Sequence, residues 1–183
     1  MNEFLLVNYA SQTLANRKLA NLFTFKNTNN IDIEKMVSEW NEVLNKKNMY
    51  VEILSNNQTS AQIYAYRPEK LSYVLNQTKI KGLLTDLGYK TYDLDQCINH
   101  LKFRFKKESF PHEIGIFLGY PYEDVVGFIE NKGNKFLANG YWKVYAKKDE
   151  KIKLFETYNK IRRSYKRIYK IQRDLYRICV GWF

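Results

Sequence analysis

The stretch Phe110-Pro-His-Glu-Ile-Gly-Ile-Phe-Leu-Gly-Tyr-Pro-Tyr-Glu-Asp-Val-Val-Gly-Phe-Ile-Glu-Asn-Lys-Gly133, followed by Gly140-Tyr-Trp-Lys-Val-Tyr145, governs the reading of this chain. Its first segment holds four of the eight glycines, two of the three prolines and one of the two histidines, His112. Glycine permits tight turns and close backbone approach, and proline fixes turns and helix starts. Their density around His112 and Glu113 marks either a built site or a corner of demanding packing. Residues 113–118 read as a short apolar strand, Pro121 opens a helix over 122–130, and residues 141–146 read as a further strand.

Upstream, Phe4-Leu-Leu-Val7 reads as a short buried strand, and Ser11 or Thr13 as the cap of a helix over 14–22. Residues 27–30 form a polar loop, and Asp32 caps a helix in which Ile33, Met36, Val37, Trp40, Val43 and Leu44 recur at helical spacing. Residues 49–54 and 60–66 read as strands of a hairpin around a turn at 55–59. Pro68 suits the first turn of a helix carrying Leu71, Val74 and Leu75, and a second helix over 80–87 stops at Gly88. Asp93 and Gln96 have the spacing of a capping box, ahead of a helix that buries Leu94, Cys97, Ile98, Leu101 and Phe105. A long helix over 150–179 closes the chain. No repeat, linker or low-complexity segment interrupts this mixture. The expectation is one compact α+β domain over 1–183, with α/β as the alternative, built of a small sheet, surrounding helices and a long basic helix and tail over 146–183.

At 183 residues the chain can bury a core without disulfides or metal. Fifteen tyrosines imply a core edge rich in rings with hydroxyls kept wet or bonded. No apolar run approaches membrane-spanning length, and the first residues lack the basic start and apolar length of a secretion leader. Cys97 and Cys179, far apart and without metal spacing, read as free buried thiols in a reducing cytoplasm. The net charge is +11, and residues 147–177 carry +8 of it, from twelve basic and four acidic side chains. Five of the eight arginines fall between Arg162 and Arg177, a clustering that a general bias toward lysine does not produce.

The glycine-rich stretch and Gly140-Tyr-Trp-Lys-Val-Tyr145 resemble a bacterial family catalogued as domain of unknown function 3793. The resemblance extends to Leu14-Ala-Asn-Arg-Lys-Leu-Ala-Asn-Leu-Phe23, Tyr64-Ala-Tyr-Arg-Pro68, Leu84-Thr-Asp-Leu-Gly-Tyr89 and Leu154-Phe-Glu-Thr-Tyr158. It implies no activity. Members of that family tend to carry cysteine in a Cys-Ala-Pro-Thr-Leu setting near an N-terminal strand. Here the run is Ala10-Ser-Gln-Thr-Leu14, with Ala10 at the cysteine position and Gln12 at the proline.

A strand, then a cysteine at a helix start, with a distant histidine opening another strand, resembles papain-like cysteine hydrolases. A helix N-terminus lowers a thiol pKa and an imidazole takes its proton. In this chain His112 holds the histidine position, but Ala10 has no nucleophile. The favoured expectation is therefore a non-catalytic binding or regulatory protein. Its cleft would be formed by His112, Glu113, Gly115, Gly119, Tyr120 and Trp142 and would receive a small ligand or peptide. The same residues read equally as packing: His112 bonded to a carbonyl, Glu113 a structural carboxylate, the glycines there for close contact. A hydrolase-like enzyme with a degenerate nucleophile position at Ala10 stands third. No cofactor is expected: Cys97 and His100 share a helix face without completing a metal set, and no phosphate loop or dinucleotide fingerprint is present.

On the last helix, Leu154, Tyr158, Ile161, Tyr165, Ile168, Leu175 and Cys179 make a packing stripe, toward the domain or toward a second copy in a homo-oligomer. Opposite lie Lys160, Arg163, Lys166, Arg167, Lys170, Arg173 and Arg177, which predict one basic face roughly 30 Å long, and Arg162 joins them as a candidate partner-binding residue. Nucleic-acid phosphates and an acidic protein are the partners such a face suits, and a solvated surface is the plain alternative. The apolar end Val180-Gly-Trp-Phe183 needs a pocket, a partner or a fold-back.

Overall fold

The computed structural model describes residues 3–27, 31–57, 59–107 and 110–181. A three-stranded antiparallel sheet forms its middle layer, built from β1 (Ala20–Lys26), β2 (Tyr50–Asn56) and β3 (Ser60–Tyr66) in the order β1-β3-β2. The central strand β3 alternates cleanly. Ala61, Ile63 and Ala65 face one core, and Tyr64 and Tyr66 face the other. Both faces are therefore covered by helices.

One layer comprises α1 (Glu3–Leu14), α2 (Ile33–Leu44), the second half of α8 (Lys148–Gln172) and α9 (Leu175–Ile178). The other comprises α3 (Pro68–Leu75), α4 (Thr78–Asp86), α5 (Leu94–Lys107), α6 (Ile114–Phe117) and α7 (Tyr122–Glu130). A two-stranded ribbon, β4 (Ala138–Asn139) with β5 (Lys143–Val144), packs on the first half of α8 through Trp142, Val144, Phe155 and Tyr158. This is the expected α+β architecture of a small sheet with surrounding helices.

The hairpin, α2 with its Asp32 cap (Oδ1 to Lys35 N, 3.0 Å), the Pro68 helix and the Pro121 helix all form. The box before α5 is half-built: Asp93 accepts from Gln96 N, while Asp93 N donates to Thr91 Oγ1. Within the polar loop and hairpin turn, residues 28–30 and Gln58 lie outside the described residues, as do Trp182 and Phe183 of the apolar end.

Four expectations fail. Phe4-Leu-Leu-Val7 is not a strand but part of α1. Leu6, Val7, Ala10 and Leu14 recur at helical spacing and are fully buried, which outweighs a four-residue apolar run. The helix expected over 14–22 is instead a turn followed by β1, whose residues alternate between the two cores, and Ser11 and Thr13 are buried inside α1. Residues 113–118 are not a strand, because Pro111 and Gly119 (φ +71°) bracket a single helical turn. The last helix stops at Gln172: Arg173 adopts a left-handed conformation (φ +50°) and Asp174 caps α9. A papain-like arrangement does not survive these changes. Ala10 sits at a kink within α1, not at a helix start after a strand, and His112 opens no strand.

One residue ties the layers together. Arg67 is fully buried and, among the described residues, meets no carboxylate. Its guanidinium donates to the carbonyls of Thr13 (2.9 and 3.1 Å), Leu14 (3.1 Å), Lys47 (2.6 Å), Asn48 (3.4 Å) and Val180 (2.7 Å). The planar fork, with five N–H donors, suits several carbonyls at once. Val180 N in turn donates to Leu14 O at 2.9 Å, so the chain end folds back on α1.

Candidate functional site

The glycine-rich stretch is first of all a packing corner. A Cβ on Gly115 would lie 2.8 Å from Val125 Cγ2, so α6 and α7 meet only because it is absent. A Cβ on Gly119 would lie 2.7 Å from Leu19 Cβ, and one on Gly140 2.4 Å from the Phe155 ring. Asp124, in the first turn of α7, locks the corner. Its Oδ2 accepts from Trp142 Nε1 (2.8 Å), and its Oδ1 accepts from Tyr145 N (2.7 Å) and Ala146 N (3.1 Å). Trp142 is thereby held stacked on Tyr120 (centroids 4.6 Å apart) and edge-on to Phe155.

Between α6, α7 and the ribbon lies a recess of about 270 Å³, bordered by His112, Gly115, Tyr120, Phe128, Trp142 and Lys143 among others. Its wall is mostly ring and aliphatic carbon. His112 is exposed at the mouth, its ring edge-on to Phe128 at 5.2 Å. Lys143 Nζ donates to Gly133 O (2.8 Å) and lies 5.7 Å from the Phe128 ring centre. Burial pushes the Tyr120 hydroxyl above its ordinary range, so it stays protonated and donates to Tyr141 O at 3.2 Å.

Four of the six expected cleft residues therefore border one recess. The other two do not. Glu113 is fully buried and turns into the core, where Oε1 accepts from Arg104 Nε (2.8 Å) and from Tyr89 OH (3.3 Å). Burial, and next the Glu113 carboxylate, hold Tyr89 well above the usual tyrosine range. Gly119 faces Leu19 and a separate shallow groove beside Tyr73 and Val74.

The family model described as "Protein of unknown function (DUF3793)" matches residues 6–179. The chain belongs to this family. No curated protein and no solved structure matches it.

In this DUF3793 chain the position compared with the family's cysteine, Ala10, is fully buried and packs in the core under the sheet. Gln12, at the compared proline, is also buried, and its amide donates to Tyr141 OH (2.9 Å) and Tyr158 O (3.2 Å), joining α1 to the ribbon and α8. Cys97 and Cys179 are free and buried, in different clusters. Burial, with Asp93 adding to it, pushes the Cys97 thiol up to about 11, the opposite of a reactive thiolate. His100 packs against Tyr89, and among the described residues no three His, Cys, Asp or Glu side chains converge as metal ligands would.

The basic surface of α8 is shorter than its sequence suggests. Lys160, Arg163, Arg167 and Lys170 are exposed and make no ion pair among the described residues, covering about 15 Å of helix. Arg162 and Lys166 are half-buried against α1. Arg162 Nη2 donates to Asn8 Oδ1 (3.1 Å), and Lys166 lies 5.8 Å from the Phe4 ring centre. Arg173 lies past the helix break, and Arg177 pairs with Asp174 at 3.2 Å. The packing stripe also shifts, with Tyr169 buried and Ile168 exposed. No helix of the described residues is long and apolar enough to cross a membrane.

Sequence reasoning missed Arg67, Asp124 and Lys18. Asp124 had a faint signal as an acid in the first turn of a Pro-started helix, where the dipole favours it. Arg67 and Lys18 had none, because their roles depend on contacts distant in sequence.

Proposed function

We propose that this protein is a non-catalytic binding protein whose recess beside His112, Gly115, Tyr120, Phe128 and Trp142 takes a small, largely apolar ligand, flat enough to lie along its rings. The observation that carries this reading is a recess whose aromatic wall is fixed in advance by the Asp124–Trp142 hydrogen bond. A preorganised wall lowers the ordering cost of binding. The volume, about 270 Å³, is close to the lower end of small-molecule sites, about 300 Å³. His112 supplies a polar contact at the mouth. The Asp124 carboxylate already accepts from three protein donors, so it gives His112 no acid–base partner, which favours binding over catalysis.

The test is ligand-observed NMR with a set of small aromatic carboxylates and amides, on the wild type and on His112→Ala and Phe128→Ala. Ligands that bind the wild type are expected to weaken about tenfold in Phe128→Ala, from lost ring contact, and less in His112→Ala. Equal binding to all three proteins would place the ligands elsewhere and sink the reading.

A second reading rests on Lys160, Arg163, Arg167 and Lys170, which are exposed and without an ion pair among the described residues. Four phosphate contacts would make binding to random-sequence DNA or RNA fall about a hundredfold between 50 and 200 mM salt. Arg163→Glu with Arg167→Glu is expected to abolish it. No binding at low salt removes nucleic acid and leaves an acidic protein as the partner to seek.

A further inference from the structure

We propose that a second cavity, open to solvent on one side and bordered by α1, the turn leading into β1, and α8, is a binding site for a small oxyanion, with Lys18 and Arg162 as its charged contacts. The cavity measures about 180 Å³ and is bordered by Asn8, Gln12, Lys18, Asn21, Tyr120 and Arg162, with the Tyr9 and Tyr141 rings also on its wall. At about 30 Å³ of liquid volume per water, it has room for a phosphate, a sulfate or a short carboxylic acid.

Lys18 is only 6 % exposed, and among the described residues no carboxylate pairs with it. Its ammonium donates to the Ala20 carbonyl and lies 5.1 Å from the Tyr120 ring centre. An ammonium has three donors, so two remain without an acceptor among the described residues. A buried cation ordinarily comes with an anion or gives up its charge. Burial does pull Lys18 down to about 7, which leaves it near the point of losing its proton. Arg162 also borders the cavity, held by Asn8 Oδ1 and set 5.9 Å from the Tyr9 ring centre.

The titratable groups bordering the cavity with Lys18 are thus Tyr9 on α1, Tyr120 after α6, Tyr141 before β5 and Arg162 on α8; among the described residues no acid borders it. A bound oxyanion would supply the counter-charge that both cations lack and would restore the Lys18 proton. Tyr120 and Tyr141 border this cavity and the aromatic recess alike, so a single layer of rings separates two sites of opposite character. The inference stands apart from the reading of the recess.

The test is calorimetric titration of the whole chain with sulfate and with acetate, whose charges are constant between pH 6 and 8.5. One-to-one binding is expected at pH 6. With one ammonium of pKa near 7 in control, the dissociation constant should rise about thirtyfold by pH 8.5. Lys18→Met should remove both binding and its pH dependence, and Arg162→Gln should weaken binding about tenfold. Aromatic acids in the recess should bind both variants as before. Should Lys18→Met fail to fold, side-chain NMR of Lys18 in the wild type decides: anion must raise its titration midpoint. Binding of only one of the two anions supports the site and fixes its size. No binding at pH 6, binding that survives Lys18→Met, or an unmoved Lys18 midpoint overturns it.

Discussion

Replacing Arg67 by methionine keeps the bulk of the side chain and removes every donor. Thr13 O and Leu14 O retain backbone partners, Asn16 N and Val180 N, and the Asn48 bond is long at 3.4 Å. The loss falls on Lys47 O and Val180 O, whose bonds from Arg67 are the short ones at 2.6 and 2.7 Å. A buried acceptor left without a partner costs about 1–3 kcal/mol, so two cost about 2–6 kcal/mol. Relief from holding an unpaired guanidinium out of water offsets part of this. A net loss of about 3 kcal/mol is expected, a large share of the roughly 5–15 kcal/mol that holds a domain together. In urea, with a slope of about 2 kcal/mol/M, the midpoint should fall by about 1.5 M. Arg67→Lys should recover little, because three donors on a flexible stem cannot span carbonyls from three segments. Hydrogen exchange localises the effect: the Val180 amide should lose protection more than Ile63 in the central strand. A midpoint shift below about 0.3 M, or uniform loss of protection, would refute the view of Arg67 as the tie between α1, the Lys47 turn and the chain end.

Gly140→Ala is expected to destabilise the protein by about 1–3 kcal/mol, since the new methyl would lie 2.4 Å from the Phe155 ring. Gly82→Ala, inside α4 with nothing within 4 Å, should stabilise by about 1 kcal/mol; paired urea melts compare the two. Asp124→Asn leaves one acceptor oxygen for three donors, so it should cost about 1–3 kcal/mol and alter the near-ultraviolet signal of Trp142. Stability should climb with pH above 7. The folded chain releases the Lys18 proton near 7, the unfolded chain holds it to about 10.5, and the state that binds more protons loses ground as pH rises. Above pH 10 the trend should reverse, because Tyr158, pushed up to about 12 mainly by burial, stays protonated only in the folded state. Urea melts at pH 6, 7.5 and 9 should show the rise in the wild type and a flatter course in Lys18→Met.

Where local chemistry decides an element, it was legible in the sequence. Asp32, Pro68 and Pro121 start helices through groups within their own first turn, and the alternation of 60–66 sets a strand. In the N-terminal segment four apolar residues fit either period, and burial of Leu6, Val7, Ala10 and Leu14 settles it as helix. The last helix breaks at Arg173 without a glycine or proline to announce it. At the candidate site, the glycine-rich stretch was legible as a corner of close packing. It could not show that Glu113 turns inward to Arg104 and Tyr89, or that Lys18, just over a hundred residues before Tyr120, shares a cavity with it. Such contacts are set by the packing of distant elements, and no local pattern encodes them.

The most direct test of the binding reading follows the Trp142 indole N–H, together with the Gly115 and Gly140 amides, by two-dimensional NMR. The uniformly labelled wild type is titrated with the aromatic acids that score in the screen. The account predicts saturable shifts that share one dissociation constant at these three positions and leave the exposed Arg163 and Arg167 unmoved. Ligands that shift signals along α8, or that leave Trp142 unchanged at saturation, would contradict it.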